Sequence, residues 1–161
     1  MVRILVAVDG SELALDAVRY ALKLVSEGLR ADLVLGHVEE EASLLELATQ
    51  GADAVAQASI EASKHLMRPA ERLVRDAGLE CEIEVALGAA SSTICDMAER
   101  LECDFIVIGA RGVGGVRGAF LGSVSQDVVH RSNVPVMVVR HAEQEVDDES
   151  ESESEAELDA E

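Results

Sequence analysis

The stretch DFIVIGARGVGGVRGAFLGSVSQDVVHRS, residues 104–132, joins an apolar run to a helix-like segment through a loop rich in glycine. Six of the chain's 12 glycines lie between residues 109 and 123. Glycine lets backbone N–H groups approach an anion closely, and the N-terminus of a following helix adds partial positive charge. The stretch therefore indicates either a phosphate-binding loop or a flexible surface connection.

Two common phosphate-binding templates do not fit this loop. A P-loop requires a lysine after its last glycine, and the loop contains no lysine. A dinucleotide-binding fingerprint requires G-x-G-x-x-G after a first strand. Here Arg117 takes the place of the third glycine, and the loop follows a fourth predicted strand.

The rest of the chain alternates strand-like and helix-like segments. Aliphatic runs predict strands buried on both faces: VRILVAV (2–8), ADLVLGHV (31–38), CDFIVIG (103–109) and VPVMVVR (134–140). LECEIEVALG (79–88) alternates apolar and acidic residues, which predicts a strand with one solvated face near a sheet edge. With helical periodicity in the intervals, this order predicts a three-layer α/β/α sandwich around a parallel sheet. Ligands of such sheets bind beyond the carboxyl ends of the strands.

The charge is strongly negative and unevenly distributed. A net charge of −19 argues against nucleic acid and anionic membranes as partners. Eleven acidic residues and no basic one lie between residues 143 and 161, which predicts a disordered acidic tail after a folded domain of residues 1–142. The remaining chain is also acidic and has two lysines against eleven arginines, a bias that resembles proteins from salt-accumulating halophiles. The alternative is an ordinary acidic protein with a solubilising tail.

The cellular compartment is inferred from what the sequence lacks. No apolar run approaches the roughly 20 residues of a membrane span, and the N-terminus does not have the pattern of a secretory signal. Cys81, Cys95 and Cys103 are scattered, which predicts buried or half-buried reduced thiols. We therefore expect a cytoplasmic protein.

The glycines of the loop follow a definite spacing, Gly109-x2-Gly112, nine residues, then Gly122-Ser123. This G-x2-G-x9-G-S pattern resembles the ATP-binding signature of the universal stress protein family. RILVAVDGSELALDAVRYALKLV (3–25) resembles the opening strand and helix of that family, and ADLVLGHV resembles its second strand. The resemblance extends over nearly all of residues 1–140 and leaves the acidic tail outside.

The resemblance carries expectations about fold, assembly and ligand. It implies the adenine nucleotide alpha hydrolase-like fold, with five parallel strands in the order 3-2-1-4-5. It implies a homodimer formed through the last strand, residues 134–139, and ATP with Mg²⁺ or Mn²⁺ as the ligand. Eleven residues of this sequence match the family's nucleotide site: Ala7, Val8, Asp9, Val38, Gly109, Arg111, Gly112, Gly122, Ser123, Val124 and Ser125.

The resemblance also divides these residues by the part of the nucleotide they would meet. Residues 7–9 would line the adenosine, and Asp9 would contact the ribose or a metal–phosphate group. Val38 would meet adenine through its backbone. The segment 109–112 would face ribose and phosphates, and the segment 122–125 would hold phosphates through N–H and hydroxyl groups.

Three of the site residues also have a purely structural interpretation. Asp9 follows a strand and precedes a helix, so it is equally placed to cap that helix. Ser123 is a plausible N-cap of the helix after the glycine loop, and Arg111 is a plausible solvated surface residue. His37 is expected to pack at its strand end without a catalytic role.

Three functions remain open at this stage. The leading hypothesis is a dimeric ATP-binding stress-response protein, with at most slow ATP hydrolysis, that acts through an unknown protein partner. The second is an ATP-dependent hydrolase or nucleotidyl transferase, for which Asp9 is the one obvious acid or base. The third is a nucleotide-free interaction protein, against which the intact glycine spacing argues.

Overall fold

A five-stranded parallel sheet organises the part of the chain that the computed structural model describes, residues 1–40, 50–111 and 121–140. Its strands are β1 (Val2–Ala7), β2 (Ala31–Glu39), β3 (Cys81–Leu87), β4 (Phe105–Gly109) and β5 (Val136–Val139). The order across the sheet is β3-β2-β1-β4-β5, and every neighbouring pair is parallel. The predicted fold and strand order are confirmed. Gly112 and the predicted tail lie outside the described residues.

Helices on both faces of the sheet connect these strands. In the described ranges they are α1 (Glu12–Ser26), α2 (Ala52–Asp76), α3 (Ala90–Arg100) and α4 (Ser123–Arg131). Helices α1 and α2 pack on one face, and α3 and α4 on the other. None of the described helices is long and apolar enough to cross a membrane.

Strand β1 lies at the centre of the sheet and is buried from both sides. Ile4 and Val6, with Val8 just beyond the strand, point into the layer beneath α1 and α2. Leu5 and Ala7 point into the layer beneath α3 and α4. This alternation explains why the strand reads as an uninterrupted aliphatic run, since neither of its faces meets water.

The edge strand β3 differs from its sequence pattern in one respect. The predicted solvated face carries Glu82 and Glu84, but the apolar face is also partly open, and Ile83 and Val85 are exposed. Leu87 at the strand end is 65% exposed. Alternation predicted which residues share a face, whereas the extent of their burial depends on how much of that face the neighbouring helix α2 covers.

The three cysteines are free thiols, as predicted. Cys95 and Cys103 are buried and Cys81 is half-buried. Burial raises the pKa of each thiol above its ordinary value, with smaller contributions from neighbouring acidic side chains. A raised pKa leaves little thiolate at neutral pH, so these cysteines are packing residues with low reactivity.

Two adjacent valines on α4 provide a test of the packing of this helix against the sheet. Val128 is fully buried, whereas Val129 is 43% exposed. Both substitutions replace valine with alanine in the same helix, so they change helix propensity equally. The difference between their effects on the free energy of unfolding therefore reports side-chain burial alone. We expect Val128→Ala to lower the free energy of unfolding by about 1.5–3 kcal/mol and Val129→Ala by less than about 0.5 kcal/mol. Urea unfolding of the two variants measures this, and equal losses would contradict the packing of α4.

Candidate functional site

A pocket of about 500 Å³ opens at the carboxyl edge of the sheet. Strands β1 and β4 are neighbours there, but the chain leaves them toward opposite sides of the sheet, to β2 and to β5. This reversal separates the connections that follow the two strands and leaves a crevice between them. Ten of the eleven residues predicted for the site line the pocket: Ala7, Val8, Asp9, Val38, Gly109, Arg111, Gly122, Ser123, Val124 and Ser125.

Asp9 holds the turn between β1 and α1. Its Oδ1 accepts hydrogen bonds from the Ser11 N–H at 3.0 Å and from the Ser11 hydroxyl at 2.6 Å. Ser11, rather than Asp9, is the N-cap of α1, and its Oγ accepts from the Ala14 N–H at 3.2 Å. Asp9 therefore supports the cap while its carboxylate lines the pocket.

Gly109 ends β4 where the strand passes very close to α1. A Cβ atom at this position would lie 2.9 Å from the backbone carbonyl carbon and oxygen of Leu13. Backbone atoms of a helix cannot move aside as a flexible side chain can. The glycine is therefore required for packing of the strand against the helix, independently of any ligand.

The end of β4 is tied to the start of α4 through Ala110. The Ala110 carbonyl accepts hydrogen bonds from the Gly122 N–H at 2.7 Å and from the Ser125 hydroxyl at 2.6 Å. The Ala110 N–H donates to the Val139 carbonyl at 2.7 Å. The hydroxyl of Ser125 is buried and committed to this junction, so its backbone N–H is the group that it can offer to a ligand.

The first turn of α4 contributes Ser123, Val124 and Ser125 to the lining of the pocket. Gly122 is the N-cap and supplies no side-chain cap, and the first helical hydrogen bond runs from the Gln126 N–H to the Gly122 carbonyl at 3.0 Å. The N–H groups of Ser123, Val124 and Ser125 precede that bond and have no partner within the helix. The alternative interpretation of Ser123 as the N-cap is wrong, because Ser123 is the first helical residue and is exposed.

Other pocket residues were not predicted from the sequence. Ala62 and Leu66 of α2 form one wall, and Ala90 and Ile94 of α3 form part of another. Their spacing predicts a helix face and nothing more, since the contact with the strand ends is made only in the folded chain. His37, expected to pack at its strand end, is buried there and lines the pocket floor.

Acidic side chains dominate the charge of the pocket among the described residues. Asp9, Glu39 and Glu40 line it together with Arg111, whose guanidinium is the basic group in that lining. A bare polyphosphate would meet net repulsion from these carboxylates. The N–H donors of α4 and a divalent cation carried by the phosphates would offset that repulsion.

Comparison with known proteins identifies the family. The sequence model of the universal stress protein family matches residues 1–140. The chain belongs to the universal stress protein family. Among its relatives is the universal stress protein YxiE of Bacillus subtilis, 30% identical over 146 residues that cover 86% of this chain and 98% of the relative.

Solved universal stress proteins share the fold. The structure of MJ0577 of Methanocaldococcus jannaschii superimposes with a TM-score of 0.74 at 25% identity, covering 88% of this chain and 96% of the other. A universal stress protein in complex with cAMP has a TM-score of 0.66 at 24% identity, covering 86% and 96%. A family member from Arabidopsis thaliana solved with AMP bound has a TM-score of 0.65 at 22% identity, covering 92% and 97%.

Gly109 and Gly122 belong to the G-x2-G-x9-G-S pattern and lie in the part of the chain that the structure describes, but their surroundings differ. A Cβ atom at Gly122 would meet its nearest neighbour, the Arg111 Cα, at 3.4 Å, which is ordinary contact. We expect Gly109→Ala to lower the free energy of unfolding by roughly 1–3 kcal/mol through overlap with Leu13. Gly122→Ala should cost less than about 1 kcal/mol, the usual range for losing a favourable N-cap residue. Thermal or urea unfolding distinguishes them, and a larger loss for Gly122→Ala would contradict this geometry.

Proposed function

We propose that the chain binds an adenine nucleotide in the pocket at the carboxyl edge of the sheet. The observation that carries the proposal is the convergence of ten matched site residues from β1, β2, β4 and α4 on one cavity. A volume of about 500 Å³ lies within the range of small-molecule and cofactor sites. Universal stress proteins of the same fold have been solved with AMP and with cAMP, which supports an adenine nucleotide as the ligand.

We propose that each side of the pocket receives a different part of the nucleotide. The apolar walls from α2 and α3, together with Ala7 and Val38, are suited to the adenine base. The N–H groups at the start of α4 are suited to phosphate oxygens, because they lack helical partners and lie at the positive end of the helix dipole. Asp9, which lines the same pocket, would contact the ribose hydroxyls or a phosphate-bound cation.

ATP with Mg²⁺ or Mn²⁺ is the form of ligand that we propose. The cation would reduce repulsion between the phosphates and the carboxylates of Asp9, Glu39 and Glu40. Bound Mg²⁺ would also polarise the phosphates. Positioning of ATP and neutralisation of its charge would then support, at most, slow hydrolysis. The binding role is therefore the primary one, and the bound state of the pocket is what a partner would detect.

We further propose a cytoplasmic homodimer formed through β5. Strand β5 lies at one edge of the sheet, and all four of its residues, Val136–Val139, are only half-buried in the isolated chain. A second β5 would cover this aliphatic edge and pair its exposed backbone groups. The acidic surface, together with the tail of residues 143–161, is proposed to keep such a dimer hydrated at high salt.

Substitution at the first residue of α4 tests the phosphate contacts. Ser123→Pro removes one backbone N–H, and proline is well tolerated at this helical position. Gly122 already has φ −74° and ψ 163°, the extended conformation that a residue preceding proline requires. We expect MgATP affinity to fall about tenfold or more, as for the loss of a hydrogen bond to a charged group, while adenosine affinity stays within about twofold.

The matched control is Ser123→Ala, which removes the hydroxyl and retains the N–H. Isothermal titration calorimetry of both variants and the unsubstituted protein, with MgATP and with adenosine, separates backbone from side-chain contributions. Equal affinity of Ser123→Pro and Ser123→Ala for MgATP would contradict the assignment of phosphates to the start of α4. Absence of binding by the unsubstituted protein would contradict the proposed function itself.

A further inference from the structure

A second cavity, of about 560 Å³, lies between the edge strand β3 and the first half of α2. The described residues that line it come from three elements: Glu39 of β2, one face of α2 from Ala52 to Ser63, and Val85, Ala86 and Leu87 of β3. Glu39 is the one described residue that this cavity shares with the pocket at the carboxyl edge of the sheet. We call this separate cavity the α2–β3 groove.

The walls of the α2–β3 groove are apolar and open to solvent. Apart from Glu39, no described residue of its lining carries a charge. Ile60 on α2 is 50% exposed, and Val85 and Leu87 on β3 are also exposed. The Glu39 Oε2 accepts a hydrogen bond at 2.9 Å from the hydroxyl of Ser63, which ties α2 to the end of β2. Exposed apolar residues grouped around a cavity are typical of surfaces that bind another molecule.

The groove reaches the backbone of β3 as well as its side chains. Val85 and Leu87 share the face of Cys81, which packs beneath α1 and α2, whereas Ala86 packs in the layer of α3 and α4. Because all three consecutive residues from 85 to 87 line the groove, it extends to the main chain that joins them. In the described ranges no strand pairs with the outer side of β3. An edge strand presents a row of backbone N–H and C=O groups on that side.

We propose that the α2–β3 groove binds an extended segment of a partner protein, which adds a strand beside β3 and alternates aliphatic with basic residues. Strand β3 contains neither proline nor lysine, the residues that often protect an edge against such pairing. The α2 wall from Ala52 to Ser63 is roughly 16 Å long, which is the length of about five residues of an extended strand. The proposal does not depend on nucleotide binding.

The two faces of β3 determine the pattern of the partner segment. On the α2 face, its side chains would enter the apolar groove, so aliphatic residues are suited to alternate positions. On the α3 face, β3 carries Glu82 and Glu84, so lysine or arginine is suited to the positions between. Arg3 of β1 donates to Glu82, and Arg100 of α3 donates to Glu84. A carboxylate has lone pairs for further donors, so both glutamates can also accept from a partner.

The same charges argue against two other occupants of the edge. In a second copy of β3, any register that keeps the apolar side chains in the groove places the glutamates of both copies on one face. Like charges in cross-strand positions are destabilising. Residues 41–49 of this chain include two glutamates and no basic residue, so they also lack the complementary charge. A basic segment of another protein is the occupant that the charges favour.

NMR titration of ¹⁵N-labelled full-length protein with two synthetic peptides tests the proposal. One is an acetylated heptapeptide in which lysine alternates with valine and isoleucine. The other contains the same residues with the lysines grouped at its two ends. Nucleotide is left out, and about 0.5 M KCl screens unspecific attraction of a cationic peptide to an acidic protein. We expect the alternating peptide to bind at least about fivefold more tightly and to slow hydrogen exchange of β3 amides.

Two valines of similar exposure provide matched variants. Val85 in the groove is 45% exposed, and Val129 on α4, outside the groove, is 43% exposed. Val85→Glu places a charge against the aliphatic side chains of the added strand and should lower affinity for the alternating peptide about tenfold or more. Ile60→Glu, on the α2 wall, should weaken binding in the same way. Val129→Glu should change affinity by less than about twofold. If charge alone attracted the peptide, all three variants would bind it more tightly.

Each contrary result identifies what is wrong. Equal binding of the two peptides, or equal effects of Val85→Glu and Val129→Glu, would reduce the interaction to unspecific charge and overturn the docking site. No change at the β3 amides with millimolar alternating peptide would overturn it as well. Outer β3 amides that are already protected in the free protein would show that the edge is covered by this chain, or by a second copy if dilution removes the protection. Failure of nucleotide binding would leave all these measurements unaffected.

Discussion

The missing Cβ atom at Gly109 is the constraint on which the rest of the site depends. It allows the end of β4 to lie against the backbone of Leu13, and so brings the start of α1 close to the carboxyl end of β4. Asp9, just before α1, lines the same pocket as the first turn of α4. The Ala110 carbonyl then fixes α4 through Gly122 and Ser125. A larger residue at 109 would separate the two sides before any ligand could bridge them.

The site combines backbone donors for phosphates with side chains that are mostly acidic. In the proposed site, the N–H groups at the start of α4, which lack partners within the helix, would attract phosphate, whereas the carboxylates of Asp9, Glu39 and Glu40 would repel it. Such a balance would make the affinity of the proposed site for phosphates sensitive to the charge of a bound divalent cation. His37 and Glu39 line the same pocket, and the His37 ring lies between the Val8 carbonyl oxygen and the Glu39 carboxylate.

Much of the fold could be predicted because its signals are local. Aliphatic runs in the sequence predicted β1, β2, β4 and β5. The resemblance to universal stress proteins predicted the order of the strands in the sheet. The site residues were predicted from the resemblance to universal stress proteins, but the role of Gly109 against Leu13 was not, because that contact joins distant parts of the chain. The His37–Glu39–Ser63 network was missed for the same reason, since spacing within β2 does not reveal a serine on α2. Ser123 resembled an N-cap by type, yet the helix begins one residue earlier than that interpretation requires.

The most direct test of the nucleotide site is the identity and amount of nucleotide carried by the purified protein. The full chain would be purified in high salt and denatured, and the released small molecules separated by anion exchange beside nucleotide standards. The account predicts an adenine nucleotide at about one per chain, or stoichiometric calorimetric binding of added ATP with Mg²⁺ if the site is emptied during purification. No released nucleotide together with no binding of added ATP and Mg²⁺ would contradict it, and would leave the glycine loop with a structural role alone.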